Sequence, residues 1–260
     1  MENSHQHDSL GLAGLVAVIT GSSRGLGAAV ADCLAANGAH LVVNYLRDEA
    51  AAAAVVRSAQ GRGVEALAVQ GDISTVAAAN RLIATALEKF GRIDILVCNA
   101  GIWKGAPVEL VSEALWDETL DTNLKGTWAV CRAAVPQMKE QQFGRIVIIS
   151  STAGQRGEAN YSNYAASKGA QISFTKSLAA ELGPFGITVN AVAPGWVDTE
   201  MSQEPLADLQ SRAQIEALIP LRRVATAAEI AWPVTFLCSD WASHITGEIL
   251  NVNGGSVLCG

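Results

Sequence analysis

The sequence predicts an α/β fold in which one parallel sheet of seven strands, doubly wound, carries helices on both faces. Three observations predict it. Seven short β-rich runs alternate with six longer, alanine-rich helical stretches. The runs are apolar throughout rather than alternating, as strands buried on both faces require. The chain has 260 residues, 50% hydrophobic and only 17% charged, which is enough apolar surface for one large core. Right-handed crossovers then place a ligand above the carboxyl ends of the strands.

Residues 1–13 read as a polar, flexible leader and residues 14–260 as a single domain. Leu15–Thr20 is the first strand, followed by a helix over 25–37. His40–Asn44 leads to a helix over 48–60, and Val64–Gln70 to one over 75–90. Ile93–Cys98 precedes a long helix over 112–139, and Gly144–Ser150 precedes one over 161–183. After the strand Ile187–Val192 the alternation breaks. Residues 196–220 are polar, contain two prolines and read as a mobile substrate loop. A helix over 226–239 and the strand Ile249–Val252 close the pattern.

Composition excludes several functions. Lysine and arginine total 18 against 25 acidic residues, a formal charge of −7, and no basic stripe interrupts this, so nucleic acid is not expected as a partner. No apolar run reaches the length of a membrane span. Cys33, Cys98, Cys131, Cys238 and Cys259 are scattered and odd in number, which suits reduced thiols in a cytoplasmic protein. No metal site is expected: His5 and His7 fall in the leader, and His40 and His244 are isolated.

Chemistry concentrates at two places. The first strand runs straight into Thr20-Gly21-Ser22-Ser23-Arg24-Gly25-Leu26-Gly27 and then a helix. Glycines there let the chain turn sharply and let a pyrophosphate approach the N–H groups of the helix start. Farther on, Tyr164 and Lys168 in YAASK share one helix face, with Ser151 at a strand end thirteen residues before the tyrosine.

The T-G-x-x-x-G-x-G spacing resembles that of the short-chain dehydrogenase/reductase family, and further motifs agree. Asp72 and Ile73 follow strand three. Cys98-Asn99-Ala100-Gly101 matches N-N-A-G except at its first position, and Pro194-Gly195 leads through Val197 to Thr199. The resemblance covers residues 14–255 and implies a Rossmann fold, a nicotinamide cofactor and a homotetramer. It also implies that Asn123, Ser151, Tyr164 and Lys168 are catalytic. In that scheme Tyr164 is the acid/base, its pKa brought down by Lys168, while Ser151 steadies the substrate oxygen and Asn123 holds a water. Cofactor contacts are implied for Gly21, Ser23, Arg24, Gly25, Leu26, Gly27, Asp72, Ile73, Asn99, Ala100, Gly101, Tyr164, Lys168, Pro194, Gly195, Val197 and Thr199.

At the end of strand two, Asn44 and Tyr45 fall where an NAD-reading acid would stand, and Arg24 is placed to meet a 2′-phosphate. NADP(H) is therefore favoured, with NAD(H) still open. Trp103, Gln155 and Trp196 should border the substrate, and two tryptophans make an apolar wall. Arg156 or Glu158 either reads a polar group of the substrate or lies solvated at the rim.

The wording is closest to the 3-oxoacyl-acyl carrier protein reductases. However, Gln141, Gln142 and Phe185 stand where a carrier dock would need positive charge. The function expected is reduction of a free small-molecule ketone, with carrier-bound 3-oxoacyl reduction as the alternative. A sensor or scaffold that had lost the chemistry would be expected to lack part of the tetrad. Ala129, Val130, Ala133, Phe174 and Leu178 on the two long helices are expected to pair subunits.

Overall fold

The computed structural model describes residues 10–258. Its sheet contains β1 (Val16–Ile19), β2 (His40–Tyr45), β3 (Ala66–Gln70), β4 (Ile95–Cys98), β5 (Gly144–Ile149), β6 (Ile187–Pro194) and, after the short pair β7 (Val197–Asp198) and β8 (Ala225–Thr226), β9 (Ile249–Val252). All seven strands of the main sheet are parallel, in the order β3-β2-β1-β4-β5-β6-β9. The order reverses between β1 and β4, and that reversal opens a crevice above their carboxyl ends.

Helices α1 (Gly25–Ala36), α2 (Glu49–Gly61), α3 (Val76–Phe90), α4 (Glu113–Leu120), α5 (Gly126–Gln141), α6 (Thr152–Arg156), α7 (Ser162–Leu182), α8 (Gln203–Ala207), α9 (Leu209–Leu218) and α10 (Ala227–Leu237) complete the chain. One face of the sheet packs against α1, α2 and α10 through Val30, Leu34, Ile230 and Val234. The other packs against α3, α5 and α7 through Leu82, Ile83, Met138 and Leu182. β1, β4 and β5 are buried at every position, as their unbroken apolar runs require.

Three expectations are corrected. The leader does not extend to residue 13. Leu12 is 1% exposed inside the α1/α10 core, and the Asp240 N–H donates to the Leu10 carbonyl. Residues 1–9, with His5 and His7, and Cys259 lie outside the described residues. The helix over 112–139 forms, as α4 and α5 joined without a break by a π-helical turn at Asp121–Lys125. The stretch 196–220 folds into β7, α8 and α9, and Leu206 and Ile219 join Val224 in a small core of their own beneath Trp196. Finally, Ala129 and Val130 are fully buried within the chain, and Ala133, Phe174 and Leu178 pack against the same core. The exposed apolar side chains on α4 and α5 are instead Trp116 and Trp128.

Among the described residues no helix is long and apolar enough to cross a membrane, and no cluster of ligating side chains suits a metal. The four described cysteines are free. Cys98 and Cys131 lie with their sulfurs 3.7 Å apart, and that contact together with burial holds the Cys98 thiol well above its usual range.

Candidate active site

α1 begins without a side-chain cap, because Arg24 stands where a short acceptor would stand. By contrast, Asp48, Thr75, Ser112, Ser151, Asp208 and Thr226 cap α2, α3, α4, α6, α9 and α10. The free N–H groups at the α1 start, together with the helix dipole, therefore face the crevice as an anion site. Gly25 has φ +54°, and the Thr199 Cβ lies 3.7 Å from where a Gly25 side chain would begin. A Cβ on Gly27 would overlap the Gly21 carbonyl and sit 2.5 Å from Asn99 Nδ2. These are the dimensions of a loop built for a phosphate, and the residues present fit a nicotinamide dinucleotide.

The loop is locked from two sides. The Asn99 amide donates to the Thr20 and Gly21 carbonyls at 3.0 and 2.9 Å, and the Ala100 N–H donates to the Thr20 hydroxyl. Asn44 accepts from the Gly21 N–H and donates to the carbonyls of Val69 and Gly71. With its amide committed to the backbone, Asn44 positions the loop. Tyr45 is likewise turned into the core at 7% exposure. Arg24 stays exposed, with no ion pair among the described residues, at the mouth of a groove of about 450 Å³ between α1 and α2. Asp72 accepts the Ser74 N–H in the turn before α3, while Ile73 is buried against Gly126. Glu200, which sequence reasoning missed, holds its carboxylate over Gly25. No pattern announces Glu200, since only the fold of the 196–220 segment brings it there.

The four tetrad residues meet at the carboxyl ends of β4 and β5. Ser151, just beyond β5, caps α6 through the Ala153 N–H and hydrogen-bonds the Tyr164 phenol. Lys168, 4% exposed, donates to the Ile149 carbonyl at 2.7 Å, with its Nζ 5.7 Å from the Tyr164 ring centre. The π-helical turn presents Asn123, whose side chain accepts the Ile102 N–H and donates to the Ile102 carbonyl and Ser167. The carbonyl of Asn123 accepts from Gln171 Nε2 at 2.7 Å and from Thr127. Asn123 Oδ1 and Lys168 Nζ converge above Gly101, 3.1 and 3.6 Å from the point where a Cβ would stand. Gln171 is a further positioning residue that sequence missed; a buried glutamine one turn beyond Lys168 was its only signal.

Burial dominates the ionisation of the pair. Burial pushes the Tyr164 phenol up to about 12, with the Ser151 hydrogen bond partly opposing and the Glu158 charge adding. Burial also pushes Lys168 down to about 7. Burial thus favours the neutral form of both groups.

Trp103, stacked on Tyr161 at 4.7 Å, meets the edge of Trp196 at 5.5 Å, so the expected tryptophan wall forms. Gln155 does not face this wall freely; its Nε2 donates to Asn251 Oδ1 at 2.6 Å, tying α6 to β9. Glu158 belongs to the wall instead, accepting from the Trp103 indole at 3.4 Å, and burial raises its carboxyl above the usual range.

A family profile described as enoyl-(acyl carrier protein) reductase matches residues 21–256. A 3-oxoacyl-[acyl-carrier-protein] reductase of Synechocystis sp. is 42% identical, the alignment covering 94% of this chain and 97% of that protein. The 3-oxoacyl-[acyl-carrier-protein] reductase FabG of Staphylococcus aureus is 40% identical over 93% of this chain and 98% of its own. A solved structure from Sinorhizobium meliloti, assigned as a short-chain alcohol dehydrogenase, superimposes with a TM-score of 0.91 at 36% identity, covering 95% of this chain and 98% of that one. The Rossmann sheet, the uncapped glycine loop and the Ser–Tyr–Lys cluster thus define a nicotinamide-dependent oxidoreductase acting on carbonyl and alcohol groups. The chain belongs to the short-chain dehydrogenase/reductase family.

Proposed function

We propose that this oxidoreductase reduces a free small-molecule ketone with NADPH, and that Tyr164 is its acid. The observation that carries the reading is the buried cluster itself, Tyr164 with Lys168 Nζ 5.7 Å from its ring centre and Lys168 converging with Asn123 above Gly101. NADPH, when bound, supplies the hydride. The chain's own groups do the rest. Ser151 donates to the substrate oxygen as charge develops there. Tyr164 passes its proton to that oxygen, and Asn123 and Lys168 hold the proton path at Gly101. The N–H groups of α1 hold the pyrophosphate, and exposed, unpaired Arg24 meets the 2′-phosphate. The exposed indoles Trp116 and Trp128 support assembly as a homotetramer through α4 and α5.

A second substrate, a carrier-bound 3-oxoacyl thioester, is favoured by the names of the two relatives. Against it, Gln141 is turned inward onto Ile93. The test is NADPH consumption with a panel of free ketones beside one carrier-bound substrate. Turnover of a free ketone with kcat/KM above that of the thioester is expected, and turnover of the thioester alone contradicts the reading.

Arg24→Ala is expected to weaken NADPH about 10- to 100-fold, the loss of one or two charge-assisted hydrogen bonds, while NADH changes little. Equal losses for both cofactors would remove Arg24 from phosphate recognition.

A further inference from the structure

One face of α7 carries both the reacting groups and their support. Tyr164, Ser167, Lys168 and Gln171 follow at helical spacing and are buried, Ser167 and Gln171 completely. Ser167 donates to the Tyr164 carbonyl at 2.7 Å and accepts from Asn123 Nδ2 at 3.0 Å. Gln171, one turn farther on, donates through Nε2 to the Asn123 carbonyl at 2.7 Å and to the Thr127 hydroxyl at 2.9 Å. That hydroxyl donates in turn to the same carbonyl, also at 2.7 Å. The helix of Lys168 thus grips Asn123 at its side chain and at its backbone.

What it grips is a π-helical turn. The Gly126 N–H reaches back five residues to the Asp121 carbonyl, so Asp121–Lys125 accommodates one residue more than an α-helix would. Such turns are rare and persist where neighbours hold them. On the other side of the turn, the Asn123 side-chain oxygen accepts the Ile102 N–H at 2.8 Å and stands with Lys168 Nζ above Gly101.

Packing does not account for Gln171. Its Oε1 is buried and has no hydrogen-bond partner among the described residues, which destabilises the folded state. A leucine would fill the space without that penalty, and Thr127 would still satisfy the Asn123 carbonyl. The amide supplies direction instead, because two N–H bonds from α7 leave the turn a single orientation.

We propose that Gln171 is a positioning residue for the reduction, holding the Asn123 turn so that Asn123 and Lys168 stay aligned at Gly101. It acts on the proton path and not on the binding of ketone or NADPH. The proposal rests on the reading of Tyr164 as the acid and adds a residue to the support of that same site.

The test uses Gln171→Leu and Gln171→Met, which fill the space without a donor; should one fold poorly, the other decides. Both are expected to lower kcat roughly 10- to 100-fold, the range for a displaced catalytic group, with KM for the ketone and affinity for NADPH within about twofold. The thermal midpoint is expected to stay within about 3 °C of wild type, because the unpaired Oε1 leaves together with the two bonds. Hydrogen exchange, followed by mass spectrometry in peptides spanning 121–127, is expected to be faster in both variants. An unchanged kcat, a kcat that falls only together with the midpoint, or unchanged exchange overturns the proposal. Failure of the reductase reading shows itself separately, as no NADPH consumed by wild type with any ketone, while the exchange difference still decides whether Gln171 holds the turn.

Discussion

Tyr164→Phe is expected to lower kcat for ketone reduction by roughly 10²- to 10⁴-fold, the range for loss of a positioned general acid, while NADPH affinity stays within about twofold. Phenylalanine fills the same buried space, so packing against Lys168 survives and only the proton and its bond to Ser151 are lost. The ionisation of the phenol makes the pH dependence specific. A group pushed up to about 12 keeps its proton through the physiological range. Reduction, which uses the protonated form, should therefore show no loss from ionisation of the phenol between about pH 6 and 9, whereas alcohol oxidation, which uses the phenolate, should climb with pH. Steady-state rates in both directions check this. A reduction rate falling tenfold per unit from neutrality would mean that the phenol ionises far lower than its burial dictates. Undiminished turnover by Tyr164→Phe would remove the residue from the chemistry.

Gly27→Val has the second large effect. The first carbon of the new side chain overlaps the Gly21 carbonyl and lies 2.8 Å from the Ser22 Cα. The backbone cannot yield without breaking the Asn99 bonds to Thr20 and Gly21, so strain of about 1–3 kcal/mol or more is expected in the folded state. The same displacement turns the N–H groups of α1 away from the phosphates. Thermal unfolding with and without NADPH measures both consequences. The wild-type midpoint should rise when the cofactor binds, and the variant should start lower and show little rise. A variant with the wild-type rise would show that the loop tolerates a side chain at 27.

Much of this was legible in the sequence, and for definite reasons. Strands buried on both faces cannot alternate, so runs such as Ile146–Ile149 announce a parallel sheet. Tyr164 and Lys168 are one helical turn apart, so local geometry alone brings them together. What sequence concealed depends on long-range placement. Asn44 was legible as a residue at the end of β2, but not that its amide would be consumed by Gly21, Val69 and Gly71. The π-helical turn at Asn123 has no local signature; its carbonyl is satisfied by Gln171, 48 positions later in the chain. The polar stretch 196–220 reads as a loop because α8 and α9 bury little, and Leu206 and Ile219 find their core only against Val224 and Trp196. Glu158 reads from sequence as either a rim charge or a reader of the substrate, and only the fold sets its carboxylate against the Trp103 indole.

Isotope transfer tests the central claim most directly. The enzyme is supplied with a free ketone and NADPH deuterated at the transferable position, and the alcohol is analysed by mass spectrometry. Deuterium on the carbinol carbon, formed by wild type and lost with Tyr164→Phe, is the predicted result. An alcohol without the label, or label transferred only to a carrier-bound thioester, would contradict it.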